Sequence, residues 1–181
     1  MSNYRRRLVP GGTYFFTVRL QDPASDLLIR EIDLLRHATR LCLKRMPFTI
    51  DAAVILPAKL HMIWTLPPDD PAYSPRWRLI KSTFSRHLPV PDTAPASHLR
   101  RGEKGIWQRR FWEHAIRDNG DFQKHLHLMS AAPVMAALVK RPGDWPYASW
   151  SVRRSDTALP WLRTTDPAPS SPDQAAAVTA S

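Results

Sequence analysis

Residues 48–66 read FTIDAAVILPAKLHMIWTL, and this stretch decides the fold of the chain. Two runs rich in β-branched and aromatic residues, Phe48 to Leu56 and Lys59 to Leu66, flank a tight connection that contains a proline. Such runs predict the two strands of a β-hairpin. Because side chains alternate between the two faces of a strand, Lys59 and His61 are expected to point to the same face.

The sequence before the hairpin predicts one strand and one helix. Thr13 to Leu20 is rich in β-branched and aromatic residues and follows a Pro10-Gly11-Gly12 turn, which favours a strand. From Ser25 to about Arg45 the apolar residues recur at helical spacing. Met46-Pro47 then ends the helical pattern.

The sequence after the hairpin predicts a helix, a strand and a further helix. The helix covers residues 74–88 and begins with a proline in its first turn, and a fourth strand is expected over residues 106–117. A polar, proline-bearing loop separates them. A turn at residues 118–121 leads into a last helix from Phe122, which Pro133 is expected to kink or interrupt.

The order of predicted elements is β-α-β-β-α-β-α, which indicates an α+β fold. On one antiparallel sheet this order gives a ferredoxin-like βαββαβ sandwich with an added C-terminal helix. We expect residues 1–162 to form one domain. Residues 163–181 are rich in Pro, Ala and Ser with little apolar bulk, and they are predicted to be a disordered tail.

The composition favours an anionic partner. The chain has 181 residues, with 26 Lys and Arg against 16 Asp and Glu and a formal charge of +10. An excess of this size is typical of nucleic-acid binding, although many soluble proteins are also basic. The single cysteine, Cys42, excludes an intramolecular disulfide and a zinc site built on cysteines. No apolar run long enough for a membrane span is present, so we expect a cytoplasmic protein with no membrane contact.

Five segments, spread in order over residues 4 to 150, together resemble one known family. They are YRR (4–6), PGGTYFFT (10–17), IDAAVILP (50–57), RWRLIKS (76–82) and WQRRFWEH (107–114). They resemble the REP-associated tyrosine transposases, which belong to the HUH single-strand transposase superfamily. The resemblance implies a ferredoxin-like endonuclease of DNA transposition that recognises single-stranded hairpins of repetitive extragenic palindromes, as a monomer or a homodimer.

The resemblance also implies a chemistry. In the family, two histidines of a His-X-His strand and one further side chain hold Mg²⁺ or Mn²⁺ on the scissile phosphate, and a tyrosine on a helix attacks. The metal neutralises developing charge, and the tyrosine conserves the bond energy as a phosphotyrosine.

Three of the four chemical positions are replaced in this chain. The second histidine of the pair falls on His61, but the first falls on Lys59, a cation without a lone pair. Leu128 stands in the place of the tyrosine, and Ala132 stands in the place of the polar residue four positions later. Cleavage is therefore expected to be lost or impaired, and His61 alone is a weak candidate metal ligand. Three interpretations remain open at this point: an active endonuclease, a binding-only regulator and an inactive remnant.

DNA binding can be retained after catalysis is lost, because it depends on many separate contacts. The candidate DNA-binding residues are all basic, and they lie on an N-terminal arm, on the second long helix and around Trp107. For the arm, a solvated terminus is the alternative. The set comprises Arg5, Arg6, Arg7, Arg76, Arg78, Lys81, Arg86, Arg100, Arg101, Lys104, Arg109 and Arg110.

Two further expectations concern histidines and tryptophans. Glu113 and His114 are neighbours on the predicted fourth strand, so they should point to opposite faces and make a poor metal pair. His125 on the last helix is more readily explained as a partly exposed helix residue than as a ligand. Large aromatics are usually buried, so Trp64, Trp112, Trp145 and Trp150 are expected in the core or packed at its edge.

Overall fold

The computed structural model describes residues 8–150. Arg5, Arg6 and Arg7, the last part of the expected domain and the expected tail at residues 163–181 lie outside this range. The elements are β1 (Thr13–Arg19), α1 (Leu27–Arg30), α2 (Ile32–Arg45), β2 (Thr49–Ile55), β3 (Lys59–Thr65), α3 (Tyr73–Arg86), α4 (Ala96–Leu99), β4 (Trp112–Ala115), α5 (Asn119–Met135) and a 3₁₀ turn (Pro142–Asp144).

The four strands form one antiparallel sheet in the order β2-β3-β1-β4. The predicted α+β fold is therefore confirmed. The central strands β1 and β3 pair along their whole length, from Thr13 opposite Thr65 to Arg19 opposite Lys59. This register fixes which side chains share a face, because they alternate with a period of two.

One face of the sheet is covered by α2 and α3 through an aromatic core. Trp64 of β3 stacks on Trp77 of α3 at 4.2 Å between ring centroids, and Phe16 of β1 lies 4.8 Å from Trp64. All three are at most 1 % exposed, and Cys42 of α2 is buried in the same cluster. Burying aromatics of this size supplies a large part of the stabilisation of a small domain.

The other face is covered by α5. Phe15 of β1 and Ile63 of β3 form a second, smaller cluster with Met129 and Ala132 of α5. Trp145, after α5, completes it and donates from its indole nitrogen to the carbonyl oxygen of Ile55 at 2.8 Å. The sheet thus lies between two helical layers, and α5 together with the segment around Trp145 covers its second face.

The fourth strand is shorter than predicted. Only Trp112–Ala115 pairs with β1, whereas Trp107 makes a single bridge to Leu20. The aromatic residues before the strand are buried by packing rather than by pairing, since Trp107 packs on Phe84 at 5.2 Å. Aromatic content alone therefore overestimated the strand.

Three predictions about the helical segments were also wrong in detail. The first predicted helix is divided into α1 and α2 at Glu31, and a short helix, α4, interrupts the predicted loop before residue 105. Pro133 lies inside α5 without interrupting it, and the helix ends two residues later at Met135. The missing amide hydrogen of the proline removes one helical bond.

The start of α5 is fixed by two aspartates. The side chain of Asp118 accepts a hydrogen bond from the amide of Asp121 at 2.8 Å, as an N-cap residue does. The buried carboxylate of Asp121 binds His114 Nε2 at 2.8 Å and Arg117 Nε at 3.2 Å. The hydrogen bond to His114, followed by those to Arg117, holds the pKa of Asp121 well below its usual range. Asp121 therefore ties α5 to β4.

We predict that Asp121→Asn lowers the free energy of unfolding by about 2 kcal/mol or more, because a buried hydrogen-bonded charge is removed while its partners His114 and Arg117 remain. Urea unfolding at neutral pH measures this. Asp144→Asn is the matched control, since its ion pair with Arg141 at 3.2 Å is exposed to solvent and should contribute little to stability. Equal losses in the two variants would contradict an anchoring role for Asp121.

Candidate nucleic-acid interface

The α5 face of the sheet presents two rows of polar side chains near one end. In the first row, Lys59 of β3 lies directly opposite Arg19 of β1. In the second row, Thr17 of β1 lies between His61 of β3 and Trp112 of β4. As predicted from the alternation along β3, Lys59 and His61 share a face.

His61 is a buried and neutral hydrogen-bonding residue. It is 6 % exposed, and its Nδ1 shares a hydrogen bond with Thr17 Oγ1 at 2.8 Å. Burial, assisted by the positive charges of Lys59 and Arg19, lowers the pKa of His61 to about 4. The imidazole therefore carries no charge at neutral pH.

The residues at these positions do not fit the divalent metal that the family resemblance implies. A cation at Lys59 and another at Arg19 repel a metal ion at His61, and neither side chain has an acidic partner within residues 8–150. On α5, Leu128 is 46 % exposed and carries no nucleophile, while Ala132 is buried against the sheet and has no ligand atom.

A second group of possible ligands lies at the junction of β4 and α5. One ligand atom each from His114, Asp121 and His125 lies within 4.8 Å of the others. These atoms already bond within the protein, since His125 Nδ1 donates to the main-chain oxygen of Asp121 at 2.8 Å and Arg117 shares the carboxylate of Asp121. The arrangement is satisfied as a hydrogen-bond network, and the cation of Arg117 opposes a metal there.

The sequence expectations for these histidines had mixed outcomes. His125 is buried, not partly exposed, and its ring packs on His114 at 4.6 Å. Glu113 and His114 do point to opposite faces, as predicted: Glu113 accepts from the hydroxyl of Tyr73 on the aromatic side of the sheet. Helical spacing did not reveal that His125 meets a strand.

The predicted DNA-binding residues divide into three groups. Arg76 is 2 % exposed and donates to the carbonyl oxygens of residues 46, 47 and 72 and to Asp70, so it braces the fold and is unavailable to DNA. A second group binds protein acceptors at the surface: Lys81 to Gln108, Lys104 to residues 86 and 88, and Arg109 to Glu103 and Ser97. The third group is exposed, with no side-chain hydrogen bond or ion pair to any residue between 8 and 150, and comprises Arg78, Arg86, Arg100, Arg101 and Arg110.

An open cavity of about 690 Å³ lies between α3 and the segment that leads to β4. Trp77 and Trp107 line it, and the indole nitrogen of each is buried without a hydrogen-bond partner. Its remaining walls include Arg78, Lys81 and Arg86. Burial lowers the pKa of Lys81 to about 8, yet the amine stays largely protonated at neutral pH. The sequence placed these residues on separate segments and did not predict the cavity.

Trp112 was expected in the core or packed at its edge, and in the structure it packs at the edge. It is 51 % exposed because β4 is the edge strand of the sheet and α5 covers only part of that strand. It packs edge-on against Phe15 at 5.6 Å and parallel to His114. An exposed indole beside basic side chains is suited to stacking on an unpaired base.

We predict that the stability of this protein depends on pH through His61. Its pKa is about 4 in the folded state against roughly 6.5 in an unfolded chain, so the unfolded state binds more protons between these values. The contribution, at most about 3 kcal/mol, is fully present above pH 6.5 and is lost as the pH falls through 4.

Urea unfolding of the protein and of His61→Gln between pH 7.5 and about 4 measures this contribution. The variant should show a flatter dependence on pH. His37→Gln, at an exposed position of α2, is the control and should keep the profile of the unchanged protein. Parallel profiles for the protein and His61→Gln would contradict the assignment.

The comparisons with known proteins agree with this geometry. No protein-family model matches the chain. It is 42 % identical over 150 residues to the REP-associated tyrosine transposase of Escherichia coli (strain K12), covering 83 % of each chain. A Haemophilus influenzae protein assigned to the same family is 40 % identical over 151 residues, covering 83 % of this chain and 86 % of that one.

A solved structure shows the same fold at similar identity. It is a REP-associated tyrosine transposase bound to a REP hairpin, with a TM-score of 0.73 and 42 % identity, covering 83 % of this chain and 84 % of that one. Identity of this extent, together with the shared fold, shows that this chain belongs to the REP-associated tyrosine transposase family.

Proposed function

We propose that this protein binds single-stranded DNA hairpins of repetitive extragenic palindromes and does not cleave them. The observation that carries the proposal is the contrast between its two functional parts. The positions of the chemistry hold Lys59, Leu128 and Ala132, whereas the basic surface has five exposed arginines whose side chains make no hydrogen bond or ion pair within residues 8–150.

The DNA-binding half of the proposal rests on charge, shape and relationship. Arg78 and Arg86 of α3 line the open cavity, and Arg100 and Arg101 follow α4 in the chain, between His98 and Gly102, which also line it. Guanidinium groups bind phosphate oxygens through paired hydrogen bonds. The related structure is bound to a REP hairpin, which makes a hairpin the ligand to test first.

The cavity supplies a feature beyond charge. Trp77 and Trp107 give part of its wall an aromatic surface. A cavity of about 690 Å³ has room for a nucleotide, and aromatic side chains are suited to contact with an unpaired base. We therefore propose that this cavity, with its basic rim, takes part in binding the hairpin.

The lack of cleavage follows from the groups that remain. Two of the described tyrosines have their hydroxyl groups in use inside the protein: Tyr14 bonds to Val9, and Tyr73 donates to Glu113. Leu128, at the position where the family resemblance implies a tyrosine, has no group that can attack phosphorus. His61, neutral and without its partner histidine, does not hold a metal against Lys59 and Arg19.

We predict that the purified protein retards a labelled single-stranded REP hairpin from its own genome and yields no cleaved or covalent product with Mg²⁺ or Mn²⁺. If about six phosphates are bound, the affinity should fall roughly 10³-fold between 50 and 200 mM salt. A gel that resolves bound, free and cleaved DNA reads both results in one tube, and a scrambled strand of equal length serves as the DNA control.

Matched variants test the surface. Arg100→Gln with Arg101→Gln should weaken binding roughly tenfold, because about two phosphate contacts are removed. Lys44→Gln with Arg45→Gln loses the same charge at the exposed end of α2 and should bind as the unchanged protein does. A cleaved or covalent product would overturn the proposal that this protein does not cleave DNA. If the hairpin is not retarded at all, the proposal of hairpin binding fails, and the protein is an inactive folded remnant.

A further inference from the structure

The pairing of Arg19 with Lys59 sets two positive charges against each other on neighbouring strands. They are direct partners in the β1–β3 register and lie on the same face as His61. Like charges directly opposite each other destabilise a sheet. Neither side chain has a hydrogen bond or an ion pair within residues 8–150. The paired positive charges of Arg19 and Lys59 are therefore not balanced by an anionic side chain within residues 8–150.

A third cation lies at the same place. Arg110, just before β4, lines a cavity of about 420 Å³ together with Arg19 and Thr17. Arg110 is exposed, and no acidic partner for it is found in the described part of the chain. Trp112 forms another part of the cavity wall, with its indole half-exposed. The cavity wall therefore holds two guanidinium groups, an aromatic surface and one carboxylate, Glu113, which accepts a hydrogen bond from Tyr73. Lys59 is not part of this wall, but it lies next to Arg19 on the neighbouring strand β3.

We propose that Arg19, Lys59 and Arg110 bind a phosphodiester group of single-stranded DNA without a metal ion, and that Trp112 stacks on an adjoining base. The proposal rests on the hairpin-binding function above and deepens it. Fixed cations occupy the region where active relatives are expected to hold a divalent metal, so the protein supplies permanently the charge that a metal would supply.

The chemistry of the residues favours a strand of DNA over a small free anion. A guanidinium group binds two phosphate oxygens at once, and a lysine ammonium adds a third charged donor. A free phosphate would use these cations but would leave the exposed face of Trp112 without a function. A nucleotide chain uses both, because its bases stack on aromatic side chains while its backbone follows the positive charge.

The test uses the full-length protein and a fluorescent hairpin that carries an unpaired extension, with binding followed by anisotropy in EDTA and in Mn²⁺. The unchanged protein should bind equally well in both. Arg19→Gln with Lys59→Gln should weaken binding roughly tenfold and reduce the slope of log affinity against log salt by about one. Lys44→Gln with Arg45→Gln is the charge-matched control on the opposite helical layer and should change affinity by less than about twofold, since salt screens distant charge.

Two further variants and one stability measurement distinguish loss of a DNA contact from loss of folding. Lys59→Arg keeps the charge and should keep the affinity. The thermal unfolding temperature of the double Gln variant should be at least that of the unchanged protein, because opposed like charges are removed. Trp112→Ala should weaken binding of the extended hairpin and leave binding of a hairpin without an extension unchanged, since only the former offers an unpaired base to stack.

The outcomes distinguish this proposal from the proposed function. Normal hairpin binding by the double Gln variant would overturn the phosphate site and leave hairpin binding intact. Loss of binding by the unchanged protein in EDTA would overturn the absence of a metal requirement. A failure of the unchanged protein to bind the hairpin in either buffer would overturn both proposals.

Discussion

The continuous pairing of β1 with β3 is the constraint on which the rest of the structure depends. It divides the central side chains into an aromatic set, including Phe16 and Trp64, and a mixed set that includes Phe15 and His61. A slip of one residue would exchange the two sets and bring charge into the aromatic core. Because α2 and α3 require one face and α5 requires the other, the register is fixed from both sides.

The same constraint allows the chemical positions to vary while the fold persists. Lys59 lies at the end of β3, where its ammonium reaches solvent, and Leu128 lies on the exposed side of α5. Neither residue is needed for packing. Ala132 is buried, but its small side chain fits against the sheet within the second cluster. Lysine, leucine and alanine at these three positions are thus compatible with an intact domain.

The sequence predicted the order of elements and the shared face of Lys59 and His61, because both depend on local periodicity. It failed where tertiary packing decides the outcome. Arg76 resembled a surface cation, but it is buried among main-chain carbonyl groups. The sequence also did not show that Trp112, packed at the edge of the core, is about half exposed. Arg19 was overlooked because nothing local shows that it faces Lys59 from another strand. The pairing of β1 with β3 reveals that relationship, and it accounts for most of the candidate site that sequence reasoning missed.

In the proposed phosphate site, Lys59 stands where the family resemblance implies a histidine, and this difference would change what controls DNA binding. A site whose positive charge comes from a bound metal ion depends on the concentration of that ion, and a chelator can remove the ion. A side-chain ammonium is synthesised with the chain and cannot be withdrawn. An occupant of the Arg19–Lys59 row would therefore be regulated by ionic strength and by competition among nucleic acids, and it would be insensitive to changes in divalent metal inside the cell.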